Sequence, residues 1–265
     1  MRQQVVKALR IWWCMVAANF SIIAASRLDF YTFFTSKLIR MFFFFFFIIA
    51  LFSHSSTLAG YTKGEVLLFF ALMNAIDILA QLLWFRGLTD VQRLIRLGEF
   101  DFVLTKPVSP VLYSSFRIFD VFDFSTIPAA IFFLVYAFQS IGPLPLDQVV
   151  AGIYLCGLGL ILAYSIVLAL SSFNFWTTEI HNAFWIYREA FYMAQYPPEV
   201  FPKGIQTTFT YFIPLFIIIA FPVKAFLGHI GFGGMVLATL ITLLFYCIAH
   251  SMWRIGLRQY TSASS

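Results

Sequence analysis

The sequence predicts an all-α integral membrane protein, six transmembrane helices preceded by an amphipathic interfacial helix, and three observations carry that reading. Hydrophobic residues make up 61% of the 265 positions and charged residues 11%, where soluble domains carry about 25% charged. Six apolar stretches approach the roughly 20 residues that cross a bilayer core. Basic residues fall almost wholly on one set of the links between them. A net charge of +5 would also suit a nucleic-acid binder, but no solvated basic patch interleaved with aromatics occurs. Nucleic acid is therefore not an expected partner, and membrane lipids are.

Residues 1–26 set Lys7, Arg10 and Cys14 on one helical stripe and Leu9, Trp12, Trp13 and Val16 on the other side. That pattern predicts a helix lying in the membrane interface with tryptophans at headgroup depth, retained in the mature chain. The first span is expected at about 30–52. Lys37 and Arg40 in its early turns are expected to snorkel towards the inner headgroups, with an inward-facing Arg40 as the alternative. The run Phe42–Phe47 has no face preference and predicts lipid exposure.

The second span, about 65–84, carries Asn74, Asp77 and Gln81 on one face. An ionisable group at mid-bilayer costs on the order of 3 kcal/mol, so Asp77 needs a partner or a wet cavity. Interhelical glue and a substrate path both satisfy that need. The third span is expected at about 118–140, after Arg117, Asp120 and Asp123 at three-residue steps that predict local ion pairing. Pro128 predicts a kink. The fourth, about 149–172, holds Gly152, Gly157 and Gly159, which allow close helix approach.

Residues 173–206 are too polar for an easy span and predict a surface-lying helix ending at the Tyr-Pro-Pro elbow of 196–198. His181 there has no companion at ligand spacing, so no metal site is expected. The fifth span is placed at about 207–226, interrupted by Pro214 and Pro222, and the sixth at about 235–253.

Between the second and third spans, residues 86–117 form the longest polar interval. Leu88, Val91, Leu94 and Ile95 at helical spacing predict a short surface helix that Gly98 ends. Pro107 and Pro110 cannot continue it and make a rigid elbow. With the amino terminus inside, only Lys63 and Lys224 of the 17 Lys and Arg fall on outer links. The positive-inside bias then puts both termini, the 86–117 loop and residues 173–206 in the cytoplasm.

Catalytic signatures are missing. No GxxxxGK[ST] phosphate loop, HExxH or GxSxG string occurs. Cys14, Cys156 and Cys247 are isolated, which supports neither a disulfide framework nor a metal site.

The strings IRLGEFDFVLTKPVSPVLY at 95–113, YPPEVFP at 196–202 and the terminal RQYTSASS, set among six spans, resemble the permease subunits of type-two ATP-binding cassette (ABC) exporters. The closer resemblance is to the bacterial and cyanobacterial branch with paired permeases. It implies a homo- or heterodimeric permease in the bacterial cell membrane, the whole chain being one permease domain. A separate cytoplasmic ATPase subunit would supply ATP and Mg, with no cofactor in this chain. It also implies a coupling helix in the 86–117 loop, making Arg93, Arg96, Glu99, Asp101 and Lys106 contact candidates shaped by Gly98, Pro107 and Pro110. Arg40, Asn74, Asp77 and Gln81 are the substrate-path candidates. An ion-coupled secondary transporter using Asp77 and a membrane-embedded lipid-modifying enzyme are the readings from other classes.

Overall fold

The computed structural model describes residues 27–177 and 181–261. The interfacial helix expected over 1–26 lies outside the described residues, as does the side chain of His181. Among the described residues the chain is helical, with no strand beyond one isolated bridge between Leu58 and Tyr61. The principal helices are α1 Arg27–His54, α2 Lys63–Ala80, α3 Arg86–Thr89, α4 Val91–Arg96, α5 Phe100–Leu104, α6 Pro110–Phe116, α7 Val121–Phe124, α8 Ile127–Ile141, α9 Leu146–Ser172, α10 His181–Tyr192, α11 Lys203–Thr207, α12 Leu215–Phe226 and α13 Phe232–Gln259.

Four helical stretches are long and apolar enough to cross a bilayer: Phe30–His54, Lys63–Arg96, Leu146–Phe175 and Phe232–Gln259. A fifth is reached if the pair Lys203–Phe212 and Leu215–Phe226, bent by 98°, counts as one span. The expected third span is shorter than its sequence suggests. Regular helix starts only at Ile127, with Pro128 in the first turn, where its missing amide leaves no hydrogen bond unmade. Pro128 therefore opens this helix instead of kinking it. The 15 residues of α8 rise about 22 Å, less than the roughly 30 Å hydrocarbon core.

α2 is the central element. Val66, Leu68, Phe69 and Ala71 on its successive faces are all fully buried, which is why this helix is apolar all round. α1 and α13 are peripheral, and Phe43 and Phe46 of the phenylalanine run stand exposed as expected. Phe45 does not: with Met41 and Ile48 it forms a buried stripe at helical spacing, its ring 5.1 Å from Phe133. On the other side, α9 packs along α12 and α13. Gly152 faces the Phe226 ring and Gly159 the backbone of Ile218, whereas Gly157 faces open space. The Ile218 carbonyl is the one that Pro222, four residues on, leaves without its helical donor.

The contacts define two ends. At the first, called basal here, Phe100 packs against Phe175 and Tyr260 at 5.4 and 5.2 Å. At the distal end, Gly64 abuts Ser140, Gly228 abuts Gln148, and Phe226 meets Phe138 at 5.2 Å. The 34 residues of Lys63–Arg96 separate these ends by about 50 Å.

Residues 181–201 connect them, against the expectation of a flat surface helix on the side of the 86–117 loop. Phe184 and Tyr187 pack on Phe85 in the basal half. Further along, Glu199 forms a 2.6 Å ion pair with Lys224, two residues before the distal Phe226. Phe184, Phe191 and Ala194 are buried on the way. The stretch looks too polar for the interior only because its partners are not local: Arg188 and Tyr192 are satisfied by each other and by α1.

This path makes a direct prediction. With the native cysteines replaced by serine, Glu199→Cys and Lys106→Cys should react with an impermeant maleimide from opposite faces of sealed vesicles. Labelling of both from the same face would restore the flat arrangement.

Candidate functional site

Charged side chains that the sequence scatters over α1, α2 and the α6–α8 region meet in one layer, buried at Lys37, Asp77, Asp120 and Asp123 and partly exposed at Arg86, Asp90 and Arg117. Lys37 of α1 is only 7% exposed. Its ammonium pairs with Asp123 and lies 3.9 Å from Asp77 Oδ2, while Gln81 Nε2 approaches Asp77 Oδ1 at 3.5 Å. Arg86 Nε donates to Asp120 Oδ2 at 2.6 Å, and Arg117 pairs with Asp90.

Two expectations are corrected here. Lys37 does not snorkel, because two carboxylates compensate it inside. Arg117, Asp120 and Asp123 do not pair locally either; each binds a different upstream element, so this short segment fastens α1 and the base of α2 together. Asp120 also accepts from Phe122 N at 3.1 Å, capping the turn α7.

A π turn at Gln81–Phe85 separates Asp77 from Arg86. Such turns shift helical phase and often occur at functional sites. Beside it, two guanidinium groups converge on one phenol. Arg40 Nη1 and Arg188 Nη2 both donate to Tyr192 Oη, at 3.0 and 2.7 Å. Arg40 also sits over the Tyr192 ring at 4.8 Å, so the inward-facing alternative holds for this residue.

Of the four sequence-predicted path residues, Arg40 and Asn74 line a cavity of about 420 Å³ between α1, α2 and the end of α10. Asp77 and Gln81 do not. Gln81 lines a separate cavity of about 250 Å³ with Arg86, Asp120, Asp123 and Arg188. Sequence reasoning did not assign Lys37, Arg188 or Tyr192 to the site. The one available signal was charge balance, since a buried Asp77 on one span requires a cation from another.

At the basal end, residues 86–117 form a folded platform. The predicted surface helix is instead the continuation of the second span, with Leu88, Val91, Leu94 and Ile95 buried. Gly98, at φ +71°, makes the left-handed turn that a side chain would strain. Pro110 occupies the first turn of α6. Arg93 is held by Asp90 and Glu99, both at 2.8 Å, and Asp101 accepts from Tyr260 Oη at 3.0 Å. Arg96, Lys106 and Pro107 are exposed. So are Leu97, Phe102 and Leu104, at 56%, 69% and 42%, on the face opposite the fully buried Phe100. The family resemblance pointed to the platform's charged members, but not to this apolar set.

No group of three or more His, Cys, Asp or Glu positioned for a metal ion occurs among the described residues. Neither the curated proteins nor the solved structures include a match to this chain. The family model described as "ABC-2 family transporter protein" matches residues 38–264. That match takes in the basal platform and the carboxylates of the charge layer, beginning one residue after Lys37, and the chain accordingly belongs to the ABC-2 family, as a membrane-spanning transport permease.

Proposed function

We propose that this chain is the membrane subunit of an ABC exporter, works as a pair with itself or a related permease in a bacterial cell membrane, and is driven by a separate cytoplasmic ATPase carrying ATP and Mg. The observation that carries this reading is the basal platform. Leu97, Phe102 and Leu104 project from it beside Arg96 and Lys106, while Phe100 anchors it to Phe175 and Tyr260 from behind. An exposed apolar centre with a charged rim is the anatomy of a protein interface. A rigid anchor allows a push on that interface to reach the spans as a rigid-body motion. Arg93, Glu99 and Asp101 then stiffen the platform, and Arg96 and Lys106 make contact.

Orientation follows from charge. Arg86, Arg93, Arg96, Lys106, Arg117, Arg254 and Arg258 belong to the basal half, against Lys63, Lys203 and Lys224 towards the distal end, which supports a cytoplasmic base. The bent pair after residue 202 then lies towards the outer side.

The test is co-purification from native membranes. An ATP-binding subunit should be retained with the wild-type chain and with the distal Phe232→Asp. It should be lost, by about thirtyfold or more in affinity, from Phe102→Asp, as for a central hot spot worth ~2 kcal/mol or more. Export by the purified chain alone, or full ATPase retention by Phe102→Asp, would overturn the reading.

A further inference from the structure

We propose that the 420 Å³ cavity between α1, α2 and the end of α10 binds a small zwitterionic amphiphile, its acidic group on Arg40, its basic group towards Glu189 and its apolar body along Phe44, Phe70 and Met73. This rests on the exporter reading only in calling the bound molecule cargo; binding itself needs no ATPase.

Two opposite charges on the cavity wall form no salt bridge among the described residues. Arg40 spends one of its five N–H donors on the neutral Tyr192 oxygen. No carboxylate of the described residues lies within 4.0 Å of it. Glu189, exposed and lining the same cavity, has no cation within 4.0 Å among the described residues either. Arg40 and Glu189 thus line one cavity without neutralising each other. Nearby, Arg188 shares the Tyr192 oxygen with Arg40, so a second guanidinium adds to the positive potential on that side.

Polar and apolar linings narrow the ligand further. Gln195 is 7% exposed, lines the cavity, and makes no hydrogen bond to the described residues. On the cavity wall its amide is open to a ligand's polar atoms. Asn74 uses its Nδ2 on the Phe70 carbonyl at 2.8 Å, which leaves its oxygen as an acceptor. Met41, Phe44, Phe70 and Met73 supply an apolar wall from two helices.

Each simpler ligand leaves something uncompensated. A lone anion meets Glu189, a lone cation meets Arg40, and a neutral hydrocarbon matches neither charge. The volume lies within the range of about 300–1,000 Å³ for small-molecule sites. It suits a single-chain or compact molecule better than a two-chain phospholipid.

The experiment uses the full chain in lipid nanodiscs with three matched probes: dodecylphosphocholine, dodecyl phosphate and dodecyltrimethylammonium, each below its micelle concentration. Binding is measured by titration, with empty nanodiscs subtracted. Dodecylphosphocholine should bind at least tenfold more tightly than either singly charged probe. Arg40→Gln should weaken it about tenfold. Glu189→Gln should erode the preference for it over dodecyl phosphate. Thermal unfolding checks each variant's fold; should Arg40→Gln not fold, the exposed Glu189→Gln decides alone.

Equal binding of all three probes, or unchanged selectivity in Glu189→Gln, would overturn the proposal and leave only bilayer partitioning. Retained selective binding in a chain that never associates with an ATPase would sink the exporter reading and spare the site.

Discussion

Lys37→Met should abolish or severely deplete folded protein, and neutralising the carboxylates it leaves behind should restore it. The ammonium is buried with Asp123 and Asp77 as its partners. Removing one member of a buried ionic group strands the others and costs about 3–5 kcal/mol, because the loss is the desolvation of the remaining charge rather than one contact. Here two carboxylates would be stranded. Lys37→Met combined with Asp123→Asn and Asp77→Asn replaces the charges with an amide pair and a thioether of similar volume, and should recover most of the lost stability. Thermal unfolding of the detergent-solubilised protein, with yield of monodisperse material, measures both steps. An unimpaired Lys37→Met would show that the layer is not a structural fastening. A triple variant that folds but fails to transport would assign the layer to function in addition.

The second large effect concerns a single hydrogen atom. Gly87→Leu should prevent assembly of the basal platform, whereas Gly157→Leu, on a more exposed helix, should change the unfolding temperature little. A Cβ at residue 87 would stand closer than 3.0 Å to the backbone carbonyls of Ser114 and Ser115. These belong to α6 and cannot rotate away as a side-chain tip would. The substitution therefore has to push α3 and α6 apart, breaking the packing that holds residues 86–116 as one body; overpacking of this kind costs about 1–3 kcal/mol even in deformable cores. At Gly157 the space is open. Limited proteolysis between residues 98 and 110, together with the unfolding midpoint, reads the difference. Equal behaviour of the two variants would mean that the close approach at Gly87 does not determine the platform.

Much of this architecture is visible in composition. Long apolar runs, the glycines of the fourth span and the proline elbow of the 106–110 string are local features, and local features survive into the fold. Gly98 and Pro110 stand where their backbone preferences put them. Gly152 and Gly159 receive a neighbouring helix, as small residues in a bilayer helix should. Arg93, Arg96, Glu99, Asp101 and Lys106, to which the family resemblance pointed, all lie in the basal platform.

Pairing was not readable. Lys37 resembles a snorkelling lysine until Asp123, 86 residues away, is brought to it. Residues 181–201 resemble a surface helix until Tyr192 meets Arg40 and Glu199 meets Lys224. A hydropathy reading scores each side chain against an average surrounding, and ionic groups in the interior are tolerated through partners that lie far along the chain.

The sequence by itself determined that this is a helical membrane protein with its basic residues gathered on one set of links, because burial in a bilayer taxes composition residue by residue. Only the tertiary structure decided which charges neutralise one another, which of Arg93 and Arg96 is held and which is free, and which polar groups face a cavity unpaired. Those are properties of pairs, and a pair has no signature in either of its members alone.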